Sequence, residues 1–161
     1  MNRVFPAFVG GRGAVGLLAL RMAMGAAFVL HGLSKIYRNG EFVMLHWMPP
    51  EAPVPPAVQA AAAVAEFGGG LGLIFGLLTP LAGLGILCTM ATAIAMVHTP
   101  TSHPFVGPPD KGPYELPLVY LASAVLFILV GPGRISLDWL LFGRAAPAPP
   151  GDYPRTVPPR S

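Results

Sequence analysis

Charge is scarce in this chain. Only 11% of its 161 residues are Asp, Glu, Lys or Arg, where a soluble domain usually carries about 25%. Hydrophobic residues make up 53%. A domain this small cannot hide that much apolar surface from water, so an ordinary soluble fold is excluded and lipid is the expected solvent. Cysteine is scarcer still. The single Cys88, inside an apolar run, excludes an internal disulfide and the dithiol of a self-contained redox enzyme, and its ordinary role is that of a small buried hydrophobe. Also missing are CxxC and CxxCH motifs, a phosphate-binding loop and a nucleophile motif, so no catalytic residue is assigned. The net charge of +3 comes from cations scattered at segment ends, with no basic stripe, which argues against a nucleic-acid partner. His31, His98 and His103 show no metal-ligand spacing, and no metal site is expected.

What the chain has instead is long apolar runs. Four are read as membrane spans, at about 15–33, 58–78, 81–97 and 116–130. A helix rises ~1.5 Å per residue, so ~20 residues cross a ~30 Å hydrocarbon core. The third and fourth runs are short by that measure, and Tyr114, Tyr120 and Trp139 are placed to anchor their ends at the headgroups. The runs lack the alternation of barrel strands, and in lipid only helices and closed barrels satisfy the backbone. The expected fold is therefore all-α: a polytopic four-helix membrane bundle. Arg3 and Arg12 before the first run resemble a secretory signal, but Arg21 interrupts the run and it continues to Leu33. It reads as a retained first span.

Thr79-Pro80 leaves room only for a tight turn, which makes spans two and three antiparallel neighbours. The two longer connections, 34–57 and 99–114, are proline-rich and emerge on one face. On the face with the termini lie Arg3, Arg12, Arg134 and Arg144, with Arg155 and Arg160 farther out. The opposite face has Lys35, Arg38 and Lys111. Cytoplasmic loops carry the cation excess, so both termini are expected in the cytoplasm. After span four, Gly131-Pro132-Gly133 ends the helix. Ser136 is placed to cap a short interfacial helix, with Asp138 near its positive end. The transmembrane domain thus runs over 1–144. The Ala-, Pro- and Arg-rich tail at 145–161 is expected to be disordered and cytoplasmic.

Gly68, Gly72 and Gly76 recur at spacing four and align on one helical face, which allows close approach of another helix. Gly25, Ala26 and Ala27 of span one are the expected counterpart. Homodimerisation through the same stripe is the alternative.

Ionisable residues inside the spans carry the functional signal. A charge facing lipid costs ~2.5–3.5 kcal/mol on insertion scales, so Arg21 and Glu66 must face the bundle. The simplest pairing joins them: their backbones differ by about 9 Å in depth at ~1.5 Å per residue, a gap that a long arginine largely covers. At ~100° per residue, Arg21, Phe28 and Lys35 fall within about 40° of one another, with His31 about 80° from Arg21. His98 ends span three and Glu115 begins span four on the same side of the membrane as Lys35. His31, Lys35, Glu66, His98 and Glu115 are thus expected to converge. Such a cluster suits a polar head such as a quinone carbonyl or an anion, or a proton relay through imidazole. It also suits a purely structural role, with an Arg–Glu pair fixing helix register and Lys35 and His31 snorkelling to the headgroups.

The chain resembles the DoxX family of small four-helix membrane proteins. The resemblance rests on an ordered set of motifs between about 15 and 142: Arg21-Met22-Ala23-Met24-Gly25 and His31-Gly32-Leu33-Ser34-Lys35; Glu66-Phe67-Gly68-Gly69-Gly70 through Gly76-Leu77-Leu78-Thr79-Pro80; Tyr114-Glu115-Leu116-Pro117; and Gly131-Pro132-Gly133-Arg134-Ile135-Ser136-Leu137-Asp138. The positions similar to the family motifs are Arg21, Lys35, Glu66, Glu115, Arg134 and Asp138. The resemblance implies a four-helix bundle in a bacterial or archaeal cell membrane. It also implies a non-autonomous subunit or anchor of a thiol, sulfur or oxidative-stress redox assembly, linked to quinone and partnered by a soluble sulfurtransferase or superoxide dismutase. Two other readings stand beside it. One is a structural scaffold that recruits partners through its loops or tail. The other is a small-molecule or proton transporter, although the two halves of the chain show no convincing similarity.

Overall fold

The computed structural model describes residues 8–50, 54–99 and 103–143. Four helices run up and down. Helix α1 spans Gly11–Ile36, α2 Pro56–Phe75, α3 Thr79–Ala93 and α4 Glu115–Val130; a fifth, short helix α5 covers Leu137–Phe142. A wider π-helical turn, Ile94–His98, continues α3. Three of these helices are long and apolar enough to cross a membrane: Gly11–Ile36, Pro56–Phe75 and the continuous Thr79–His98. At 16 residues, α4 is ~24 Å long, shorter than the continuous Thr79–His98 helix. Each expected span falls on one of these helices, the second running three residues past the end of α2. The fold is the all-α membrane bundle that hydropathy indicates.

Lipid-facing surface accounts for the composition. Leu30, Val64, Leu81 and Leu129 on four different helices are each more than half exposed, a surface that only hydrocarbon tolerates. Inside, Leu17, Met24 and Phe28 of α1 meet Leu73 of α2, Ile86 of α3, and Ala124 and Phe127 of α4 in one core. The Phe28 and Tyr120 rings pack edge-to-face across α1 and α4, with centroids 5.0 Å apart.

Gly25 is at the α1–α2 contact as expected, but its partner there is not the expected stripe, of which Gly72 meets α3 instead. A Cβ on Gly70 would lie 2.6 Å from the Val29 amide nitrogen and 2.8 Å from the Gly25 carbonyl oxygen, and one on Gly32 would run into the backbone of Phe67. Gly25, Gly32 and Gly70 are therefore the α1–α2 contact. Gly69 and Gly72 instead face Ala82 and Ile86 of α3, a Cβ on Gly68 would meet nothing, and Gly76 is the left-handed C-cap of α2. Spacing four misassigned the face because α2 is gripped from two sides, and its run of consecutive glycines serves both.

The α2–α3 connection is a tight turn, as expected, but it lies over 76–78, and Thr79-Pro80 already form the first turn of α3. The long connections leave from the opposite end of the bundle. One begins with a feature the proline count does not show: a two-stranded ribbon, β1 Tyr37–Arg38 paired with β2 Glu41–Phe42. It turns on Asn39 and Gly40, both at positive φ, the Asn-Gly signature of a tight hairpin. At the turn end, Ser136 caps α5 by accepting a hydrogen bond from the Trp139 amide, as expected. Leu137, Leu140, Leu141 and Phe142 are exposed around α5, consistent with a helix lying in the interface. The expected disordered tail at 145–161 lies outside the described residues.

Candidate ligand-binding site

The two intramembrane charges do not pair with each other. Arg21, fully buried, points to the turn end, where its guanidinium donates to the carbonyl oxygens of Leu73, at 3.4 Å, and Ile135. Its Nε is buried with no hydrogen-bond partner among the described residues, and none of the carboxylates described forms an ion pair with it. Asp138 is also fully buried. Its Oδ1 accepts from the Leu78 amide at 2.7 Å and its Oδ2 from the Thr79 amide at 2.9 Å, while its own amide donates to the Gly76 carbonyl at 2.8 Å. A carboxylate from α5 thus caps the N-terminus of α3, where a negative charge is favoured. That is a different helix from the one its sequence position suggests. The backbone amide of Arg134 donates to the Val9 carbonyl at 2.9 Å, and its side chain lies along Gly10. Arg21 and Asp138 thus clasp α5 and the segment before it to the α2–α3 turn, while Arg134 ties that segment to Val9 and Gly10, just before α1.

Glu66 pairs instead with Lys35, Nζ to Oε1 at 2.5 Å. The residue geometry explains the exchange. Lys35 ends α1 and Glu66 faces inward from α2 at the loop end, while Arg21 lies four turns away in the other direction. The lysine ammonium also sits 4.5 Å above the Trp47 ring, a cation–π contact. Trp47 is held there by three hydrogen bonds that share Gln59. Its indole N–H donates to the Gln59 carbonyl at 3.0 Å, the Gln59 side chain accepts from the Met48 amide at 3.0 Å, and the same side chain donates to the Val54 carbonyl at 3.0 Å. Arg38 adds a bond to the Trp47 carbonyl at 3.2 Å. Gln59 is buried.

Two cavities meet at this pair. The larger, about 510 Å³, lies between α2 and α3 and is lined at its loop end by Trp47, Met48, Val54 and Pro55. Its walls are almost wholly apolar, and exposed Ala61 and Cys88 stand on its margin, so it opens toward lipid. The smaller, about 140 Å³, lies between α1 and α4 and includes Phe28, His31 and Tyr120. Lys35, Glu66 and Met90 line both. Tyr120, expected as a headgroup anchor, turns inward here. Glu66 Oε1 is taken by Lys35; Glu66 Oε2 is buried with no hydrogen-bond partner among the described residues.

The expected five-membered cluster therefore divides. Lys35 and Glu66 are joined, and exposed His31 shares the smaller cavity with them. Among the described residues, neither His98 nor Glu115 lines either cavity. His98 Nδ1 lies 3.0 Å from His103 Nδ1 and 2.9 Å from the Gly112 carbonyl, tying the π-helical turn to the following loop. Glu115 begins α4, in the first turn where the helix dipole favours a carboxylate, and its amide donates to the Phe105 carbonyl at 3.1 Å. No three metal-ligating side chains gather among the described residues. Sequence reasoning missed Gln59 and Trp47 as parts of the site. A signal for Gln59 was present: it and Glu66 are the only polar side chains in the expected second span, seven residues apart and so on one face.

The DoxX family model matches residues 16–99, just over half of the chain, including Arg21, Lys35, Glu66 and both walls of the larger cavity. The chain belongs to the DoxX family. An uncharacterized protein of Haemophilus influenzae is 33% identical to it over 69 residues, 43% of each chain. No solved structure matches. The DoxX match ends before Arg134 and Asp138, so the C-terminal clasp lies beyond it.

Proposed function

We propose that this DoxX-family membrane protein is a subunit or anchor of a thiol, sulfur or oxidative-stress redox assembly, and that the Lys35–Glu66 site holds the polar head of a quinone. The observation that carries this reading is a charged pair set at the meeting point of two cavities, beside an apolar cleft long enough for a lipid-soluble tail. Ligand sites combine such walls with few, fixed polar groups. The residues fit a quinone: Lys35 Nζ has N–H donors beyond the one bonded to Glu66, and Trp47 supplies a flat face beside it. A quinone would supply two-electron, two-proton redox chemistry. The chain itself binds and orients the head and keeps it away from bulk water. The single cysteine cannot perform dithiol exchange, so the thiol or sulfur chemistry belongs to a soluble partner, with a sulfurtransferase or superoxide dismutase the classes proposed. The cation distribution supports both termini in the cytoplasm, and the family resemblance supports a bacterial or archaeal cell membrane.

Purification of the tagged chain in mild detergent tests this reading, with mass spectrometry of bound proteins and of extractable quinone. Near-stoichiometric quinone or one of those enzymes is expected, and the quinone should be lost in Lys35→Met and Glu66→Gln. Recovery of the chain with bulk lipid alone would leave the scaffold or transporter reading in its place.

A further inference from the structure

The head group that suits this site can be read from Glu66. One carboxylate oxygen is committed to Lys35 at 2.5 Å. The other, Oε2, is buried on a residue only 2% exposed, has no partner among the described residues, and belongs to a side chain that lines both cavities. A carboxylate oxygen paired in this way only accepts hydrogen bonds, and a buried acceptor left without a donor is costly. Elsewhere in the bundle the equivalent problem is solved within the chain: both Asp138 oxygens receive backbone amides. At Glu66 no donor from the described residues reaches Oε2, and the side chain lines both cavities.

We propose that the Lys35–Glu66 site selects a lipophilic molecule whose head is a hydroxyl donor, a phenol or alcohol on an apolar tail. The hydroxyl donates to Glu66 Oε2, and the tail lies in the α2–α3 cleft, which it reaches from the lipid past Ala61 and Cys88. The inference rests on the reading of this pair as a head-group site and adds the polarity of the head. In quinone terms, the reduced dihydroxy form binds in preference to the dicarbonyl form. Lys35 retains N–H donors for an accepting atom of the head, whereas Glu66 Oε2 has no donor among the described residues, so a hydroxyl is what the site lacks. The acceptor at Oε2 is the group with nothing else to do.

Cys88, the one thiol in the chain, lines the cleft and reports its occupancy. The rate at which N-ethylmaleimide labels Cys88 in detergent-solubilised protein would be measured by mass spectrometry against increasing para-nonylphenol or para-nonylanisole. These probes share a tail and ring and differ in the O–H. Protection by the phenol at about tenfold lower concentration than by the methyl ether is expected, the ratio a hydrogen bond to a charged acceptor provides. Glu66→Gln, whose amide can donate as well as accept, should erase that ratio. Ala62→Phe, which fills the cleft while leaving the ion pair in place, should abolish protection by both probes and covers the case in which Glu66→Gln does not fold. Equal protection by phenol and ether in the unmodified protein would overturn the donor selectivity and leave the head-group site standing. Protection by neither would overturn both.

Discussion

The two ends of the bundle each set a cation beside a buried carboxylate, Arg21 fully buried and Lys35 half-buried, and use them differently. At the turn end, Asp138 has both oxygens filled by the amides of Leu78 and Thr79, and the two terminal nitrogens of Arg21 donate to backbone carbonyls while its Nε has no partner among the described residues. At the loop end, Glu66 has one oxygen filled by a side chain and the other by nothing, and two cavities adjoin it. A charge that completes backbone hydrogen bonding is part of the fold, whereas one that faces a cavity is free to meet a ligand. Intramembrane charge alone therefore does not mark function; what the charge touches separates the two cases.

The sharpest way to break this comparison is Asp138→Ala. It removes the carboxylate that accepts from the Leu78 and Thr79 amides at the start of α3, so a loss of about 3–5 kcal/mol is expected for two hydrogen bonds to a charged group. Circular dichroism during unfolding of mixed micelles by a denaturing detergent would measure it. Cleft occupancy in the fraction that remains folded should be unchanged. A middle-sized effect sharpens the packing side. Gly70→Ala drives a methyl group into Val29 and Gly25 and should cost about 1–3 kcal/mol, while Gly68→Ala, two residues away and open, should stay within about 0.5 kcal/mol of the unmodified protein by the same measurement. No loss of stability is expected where the functional effect is largest. The double variant Lys35→Met with Glu66→Leu replaces the loop-end pair by apolar groups and should be as stable as the original chain, or more stable by about 1–4 kcal/mol. It should also lose phenol protection of Cys88. If that variant unfolds instead, the loop-end pair is as structural as the turn-end clasp and the contrast collapses.

The sequence makes the spans legible because apolar length is a local property, and the short gap between the second and third spans leaves no room for anything but a turn. The cap at Ser136 is legible for the same reason. Partner choice is not local. Arg21 and Glu66 are the two charges within the spans, so pairing them follows from composition, but the acceptors that Arg21 finds include Ile135, which comes after the last span. Asp138 likewise caps α3 rather than its own helix, because α5 folds back under the α2–α3 turn. No periodicity encodes that return. The glycine face fails for a related reason: spacing identifies a stripe, and only the packed bundle decides which neighbour each glycine meets. The Asn39-Gly40 hairpin and the shared face of Gln59 and Glu66 were readable and lay hidden among the prolines and alanines around them.

The clasp also has a consequence in time. A chain made from its N-terminus presents Arg21 to the membrane 114 residues before Ile135 exists, a delay of roughly ten seconds at ordinary rates of synthesis. During that interval the first helix carries an unanswered cation. Helix α2 can answer it only through the Leu73 carbonyl, and α3 has no cap at its start. The last short helix therefore acts as a completion signal: assembly of the bundle becomes final when α5 docks, and a ribosome stalled before Ile135 leaves a set of inserted spans with no lock.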